Sequence, residues 1–223
     1  MLTAQNIEKV RDGRHVLHNV SLSIERGTVV SLIGPSGSGK TTLLNILAGV
    51  DAPDSGMVLL EDKTVSAPSP RVAMVFQQLF LWPHLTLREN ITLANRASDK
   101  EVQELIDALG MGAFIDRYPN QTSLGQRQRA ALARAVALRP EYLLLDEVTS
   151  ALDIEQIEAV AALLGKLKDQ GTGIFTITHL INFSKRISDQ IIFMDAGEVL
   201  EQGGKELISN PQHPRTKEFI SFF

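Results

Sequence analysis

Apolar positions along this chain fall into two alternating kinds of segment, short aliphatic runs and stripes at helical spacing. Val29-Val30-Ser31-Leu32-Ile33 is a run of strand length closed by Gly34, and Thr42 to Ala48 reads as a helix ending near Gly49. Residues 16–25 alternate, with Val20, Leu22 and Ile24 on one face, and the turn Glu25-Arg26-Gly27 closes that one-sided strand. A turn cluster, Asp51 to Gly56, leads into a strand over Met57–Leu60. Pro68-Ser69-Pro70 then breaks the chain before a fully apolar strand at Val72–Phe76.

The pattern then changes. Ser98-Asp99-Lys100-Glu101 is a capping box opening a helix with Val102, Leu105, Ile106 and Leu109 along one stripe, stopped by Gly110. A second helix runs from about Leu124 to Leu138, ahead of Pro140. Strands resume with Tyr142–Leu145, Gly173–Thr178 and Gln190–Met194, with helices between them; Asp195-Ala196-Gly197 turns into a last strand at Glu198–Glu201. The order predicts an α/β domain with a mostly parallel sheet covered on both faces and antiparallel edge strands. Its core is residues 1–78 and 140–223, and a helical subdomain, 79–139, is inserted.

Composition narrows this further. With 223 residues and 43% hydrophobic content the chain makes one domain, and only 5% aromatics leaves an aliphatic core. The net charge of −4 gives no electrostatic footprint for nucleic acid. Arg127, Arg129, Arg134 and Arg139, interleaved with alanines and leucines, read as the solvated side of an amphipathic helix. Cysteine is absent, and the five histidines carry no H-E-x-x-H or similar ligand spacing. No run of 18 apolar residues and no leader segment is visible, so a cytoplasmic location is expected.

Between the strand Val29–Ile33 and its helix lies Gly34-Pro35-Ser36-Gly37-Ser38-Gly39-Lys40-Thr41, followed by Thr42. This fits G-x-x-x-x-G-K-[ST] at every fixed position and in the strand–loop–helix context that gives the pattern physical meaning. Glycines let successive N–H groups face phosphate oxygens, and the helix N-terminus adds about half a positive charge. Lys40 would reach the β- and γ-phosphates and the Thr41 hydroxyl would ligate Mg²⁺. A nucleoside triphosphate is the ligand expected here. Tyr142–Leu145 is followed by Asp146 and Glu147, two acids at the tip of a buried strand, where open α/β sheets hold their ligands. Asp146 suits the metal, and Glu147 suits a general base for an attacking water.

Further motifs in order are Gln77 after the strand Val72–Phe76, Thr122-Ser123-Leu124-Gly125-Gln126 opening the arginine-bearing helix, Ser150-Ala151-Leu152-Asp153, and His179. With Gly34–Thr41 and Asp146-Glu147 they resemble the nucleotide-binding subunit of ATP-binding cassette (ABC) transporters over essentially the whole chain. Met74–Gln78, Pro83–Thr86 and Asn210–Thr216 are similar to the polar amino-acid importers. The resemblance implies the ABC ATPase fold, ATP and Mg²⁺ as cofactors, and ATP hydrolysis that powers import. Gln77 would be the Q-loop glutamine, sensing Mg²⁺ and water. Ser123, Gly125 and Gln126 would form the signature motif against the γ-phosphate held by the other subunit. Asp153 would be a dimer-contact residue and His179 the switch histidine. Taken alone, Asp153 is also a helix N-cap with Gln156 at N3.

The partners implied are a second copy or homologous ATPase subunit, integral membrane permease subunits, and through them an extracytoplasmic solute-binding protein. The working place would be the cytoplasmic face of the cell membrane, where Leu79–Pro83 offers a docking surface. Three departures from the family pattern stand out. Thr122 and Leu124 replace a leucine and the first glycine of the signature, and Val148 replaces a proline. Arg11 stands where an aromatic residue normally stacks on adenine. A guanidinium can take over that stacking. The Leu124 replacement leaves open a regulatory or assembly subunit that hydrolyses weakly, and another small solute remains an alternative substrate. The long insertions of DNA-repair and translation ABC ATPases are missing.

Overall fold

The computed structural model describes residues 1–94 and 96–223. Leu2–Arg11 (β1), Arg14–Ile24 (β2), Ser55–Leu60 (β4) and Lys63–Thr64 (β5) form a four-stranded antiparallel sheet in the order β2-β1-β4-β5. Val29–Ile33 (β3), Val72–Val75 (β6), Tyr142–Asp146 (β7), Gly173–Ile177 (β8), Gln190–Asp195 (β9) and Glu198–Gly203 (β10) form the second sheet, ordered β10-β9-β3-β8-β7-β6. It is parallel except for the β9–β10 hairpin at its edge. The expected parallel sheet is therefore present, but most of the antiparallel strands belong to a sheet of their own. Alternation along residues 16–25 reports one wet face and says nothing about which sheet the strand joins.

Lys40–Leu47 (α1) packs between the two sheets, where Leu43, Leu44 and Leu47 meet Leu22 and Val58 on one side and Leu32, Leu144 and Phe175 on the other. The opposite face of the parallel sheet is covered by Leu124–Ala137 (α4) and Ile154–Asp169 (α5), together with Leu87–Thr92 (α2) and Asp99–Ala108 (α3). Strand β7 shows the two-residue period directly, with Tyr142 and Leu144 facing α1 while Leu143 and Leu145 face α4 and α5. Ile181–Ile187 (α6), Glu206–Ser209 (α7) and Pro214–Ile220 (α8) close the remaining end over Ile33, Ile191 and Phe193.

Among the described residues, those between β6 and β7 contain helices and no strand. The capping box read from sequence is present, with Ser98 and Glu101 capping α3 reciprocally; Ser123 and Gln126 do the same for α4, a cap not read from sequence. The arginines of α4 correct the expectation of a solvated face. Arg129 is buried, donates to the carbonyls of Leu109 at 2.8 Å and Gly110 at 3.2 Å, and lies 4.9 Å from the Phe114 ring centroid. Arg134 donates to Leu79 O and Phe80 O, both at 2.7 Å, and Arg127 to Pro119 O at 3.2 Å. Planar guanidinium forks satisfy loop carbonyls that no strand partner reaches, so these positive charges are structural.

The turn out of β3 leaves no room for a side chain. At Gly34 (φ +149°) an added Cβ would stand 1.9 Å from Met194 O, whereas at Gly37 (φ +80°) it would meet nothing within 4 Å. Gly34→Ala is expected to destabilise the fold by about 2–4 kcal/mol, against about 1 kcal/mol for Gly37→Ala, read from denaturant midpoints.

Candidate nucleotide and hydrolysis site

Four adjacent parallel strands, β3, β8, β7 and β6, end at the same edge of the sheet. Each of them delivers to that edge one of the residues singled out from sequence. The Gly34–Gly39 loop and α1 come directly after β3, and His179 lies two residues beyond β8. Asp146 ends β7 with Glu147 next in the chain, and Gln77 stands exposed just past β6. A parallel sheet thus does what sequence spacing alone cannot, setting residues up to 145 positions apart in one row (34 to 179).

The loop is built to receive an anion. Gly39 caps α1 with φ 96°, no side chain caps the helix, and no acid lies in its first turn. The leading N–H groups of α1 therefore keep their donors free for a ligand. Lys40 is buried and folds back over the loop, its Nζ donating to Gly34 O at 3.0 Å, Pro35 O at 2.6 Å and Ser38 Oγ at 3.3 Å. Burial pulls its ammonium below the usual lysine range, against the opposing pull of Glu147, Asp146 and Asp195.

Asp146 is 2% exposed, and both its carboxylate oxygens are buried without a hydrogen-bond partner. Burial pushes its carboxyl above the usual range; the Thr41 side chain beside it counters this, and the Glu147 charge adds to it. Two orphaned, buried oxygens next to a threonine hydroxyl are a donor set fit for a hard dication. Mg²⁺ fits here.

Glu147 has φ +52°, a left-handed conformation that costs a non-glycine residue about 1–3 kcal/mol and gathers at functional sites. Its N–H donates to Ile177 O at 3.1 Å, and its Oε1 lies 2.6 Å from His179 Nε2. Gln128 of α4, which no sequence pattern singles out, holds the next loop of the chain. Its Nε2 donates to Ser150 Oγ at 2.9 Å and its Oε1 accepts from Ala151 N at 3.2 Å. A buried glutamine in an arginine-rich helix carries no motif signal, so only the fold reveals it. Val148, the position of the missing proline, is buried in the core.

The remaining candidates lie at α4, α5 and the β1–β2 hairpin. Ser123 Oγ accepts from Gln126 N at 3.2 Å while Gln126 Oε1 accepts from Ser123 N at 3.0 Å. Gly125 packs so closely on the next loop that a Cβ would sit 2.6 Å from Ala151 O. Leu124 is 47% exposed. Asp153 caps α5, with both oxygens engaged by Gln156. Among the described residues no hydrogen bond joins Ser123–Gln126 or Asp153 to the Gly34–Thr42 segment. Arg11, at the β1–β2 hairpin, is paired with Asp51, whose other oxygen takes Lys9 Nζ at 3.0 Å.

Residues 17–150 match the family described as ABC transporter. The glutamine transport ATP-binding protein GlnQ of Bacillus subtilis is 38% identical over 237 residues, covering 99% of this chain and 98% of that protein. The arginine transport ATP-binding protein ArtM of the same organism is 35% identical over 236 residues, with the same coverage. The L-cystine transport system ATP-binding protein TcyN of Escherichia coli is 36% identical over 244 residues, covering all of this chain and 98% of that protein. A solved dimeric ABC transporter cassette superposes with a TM-score of 0.84 at 33% identity, over 92% of this chain and 99% of that one. A dimeric post-hydrolysis state of that cassette, bound to ADP and Pi, gives 0.81 at 33% identity over the same shares. By family and by fold, this chain belongs to the ATP-binding, ATP-hydrolysing cassettes of the ABC transporters.

Proposed function

We propose that this chain is the ATPase subunit of an importer for polar amino acids, working as one of two ATPase subunits against the cytoplasmic face of a membrane. The observation that carries the reading is the row at the sheet edge: an uncapped helix N-terminus, Lys40, a buried unpartnered Asp146, and Glu147 held by His179. The names of similar proteins, for glutamine, arginine and cystine transport, support the substrate class.

The residues would divide the work between phosphate, metal, water and base. The N–H groups of Ser36 to Thr42 and the Lys40 ammonium hold the phosphates, the ammonium exchanging its loop carbonyls for phosphate oxygens. Thr41, Asp146 and Gln77 would hold Mg²⁺, which when bound would supply positive charge against the phosphates. Glu147 takes the proton of the attacking water at a carboxylate oxygen, and His179 fixes that carboxylate's direction through the Nε2 contact. Arg11 presents a flat cation to the base, with Asp51 restraining it.

Ser123, Gly125 and Gln126 serve the triphosphate of the neighbouring copy, and Asp153 lies in the same contact. The lack of any hydrogen bond from them to the Gly34–Thr42 segment among the described residues supports this, as does the dimeric state of the similar cassette. The helical subdomain, 79–139, carries the surface offered to the permease subunits, with Phe80 61% and Trp82 51% exposed. Trp82 is pinned there by Asn90, which accepts from its N–H at 2.7 Å and donates to its carbonyl at 3.1 Å. An extracytoplasmic solute-binding protein acts through the permease, and nucleic acid has no part. A weakly hydrolysing regulatory subunit is the second reading, favoured by the exposed Leu124 at the helix end that would face phosphate.

Lys40→Ala is expected to raise the Mg-ATP dissociation constant about tenfold to a hundredfold, measured by calorimetric titration. An unchanged constant would remove the phosphate role from this loop.

A further inference from the structure

The β1–β2 hairpin carries a cluster that neither the ATPase cycle nor the family reading uses. Glu8, His15 and His18 each offer one ligand atom, and these atoms lie within 4.8 Å of one another. We propose that the three residues form a site for a single transition-metal dication of the zinc class, set beside the nucleotide loop.

The backbone is shaped to bring the two histidines together. Residues three apart in a regular strand point to opposite faces, so His15 and His18 would diverge. Two irregularities prevent this. Val10 pairs with His15 and Lys9 with Leu17, which leaves Val16 as an extra residue on β2. From there Ile7 pairs with Val20, so β2 advances three residues while β1 advances two; Asn19, with φ +48°, lies in that second bulge. Bulges re-aim side chains, and this pair brings the imidazoles to 5.2 Å between centroids with planes 15° apart. Glu8 meets them from β1, its Oε2 3.9 Å from His15 Nδ1, while its Oε1 accepts from Asn19 N at 3.0 Å. That hydrogen bond fixes the carboxylate as metal sites require of their ligands.

Two imidazoles and a carboxylate are a donor set that suits zinc, copper, nickel or cobalt and leaves a coordination position open. Mg²⁺, which prefers oxygen donors in octahedral geometry, is disfavoured here. Bonds of about 2.0–2.2 Å require the ligand atoms to close in from their present spacing, and His15, the exposed member of the three, has the most freedom to move. The positive charge of Arg11 on the same hairpin is offset by Asp51.

The position links the metal to the nucleotide loop. His18 N–H donates to Gly197 O at 2.9 Å, and Gly197 N–H donates to Ser38 O at 3.1 Å. Gly39 approaches the bulged residue so closely that a Cβ would stand 2.7 Å from Val16 O. An ion holding His15 and His18 would brace the strand against which Ser38 and Gly39 rest. Metal occupancy would then act on nucleotide affinity.

The test is titration of the nucleotide-free protein with Co²⁺, monitored by visible d–d absorption and by competition with Zn²⁺. One Co²⁺ per chain is expected, displaced by Zn²⁺. Glu8→Gln, His15→Ala and His18→Ala should each weaken it by about tenfold or more, and His84→Ala should leave it unchanged. His15 is exposed, so its replacement tests the site without disturbing the hydrogen-bonded backbone of His18. Absence of a d–d band at millimolar Co²⁺, or a His15→Ala affinity equal to the native one, would overturn the proposal. The experiment involves no ATP, so its failure is separate from failure of the ATPase reading.

Discussion

Replacing Glu147 by glutamine should lower ATP turnover by about 10²–10⁴-fold while leaving Mg-ATP binding nearly intact. The reason is geometric. Glutamine keeps the volume and the reach of the side chain but cannot take a proton from water. The contact from His179 Nε2, 2.6 Å from Oε1 in the native protein, can still be made to the amide oxygen. The positive φ of Glu147 belongs to the backbone and is the same for either residue. Lys40, Thr41 and the α1 N–H groups, the proposed binding groups, are untouched. Phosphate release and ATP affinity measured on the same preparation give the comparison. A variant that turns over at the native rate would move the base elsewhere and favour the regulatory reading.

Asp146→Asn should act in two opposite directions. Asp146 is a buried carboxylate offset only in part by the Thr41 side chain beside it, and burial is the main reason its carboxyl titrates above the usual aspartate range. A raised acid pKa means that the folded state holds the proton more tightly than the unfolded chain does. The folded protein therefore loses stability as pH rises from about 4, the unfolded value, through the raised folded one. An amide in the same place is also short of partners, yet it carries no charge to desolvate. The variant should be more stable than the native protein at about pH 7.5 by about 1–3 kcal/mol, which is several degrees in melting temperature for a chain of this size. The gain should shrink toward about pH 4. Hydrolysis should nevertheless fall by about 10²-fold or more, and added Mg-ATP should stabilise the native protein far more than the variant. Melting curves with and without Mg-ATP at the two pH values decide it. A variant less stable than the native protein at the higher pH would mean that Asp146 has a structural partner.

These two residues also mark how much the sequence discloses. Asp146 and Glu147 are legible because an apolar strand ending in two acids has a physical meaning of its own. The caps at Ser98–Glu101 and Asp153–Gln156 are legible because capping is local, decided within four residues. What escapes is decided by distant chain. The arginines of α4 have the spacing of a solvated face, yet Arg129 and Arg134 reach loop carbonyls 19 to 55 positions away. Gln128 matters through Ser150 and Ala151, and nothing near it in sequence announces that. The alternation of strand β2 reveals a wet face but not which of the two sheets the strand joins. The two histidines of β2, three residues apart, have no ligand spacing for a regular strand. Only the bulges at Val16 and Asn19 make neighbours of them.

The proposed role of Ser123, Gly125 and Gln126 requires that a second copy complete the site. Sedimentation of the Glu147→Gln protein with and without Mg-ATP tests this most directly, because ATP then persists for the length of the run. The predicted result is a monomer without nucleotide, a dimer with it, and loss of that dimer when Lys40→Ala is added. A sedimentation coefficient that stays monomeric at saturating Mg-ATP would contradict it.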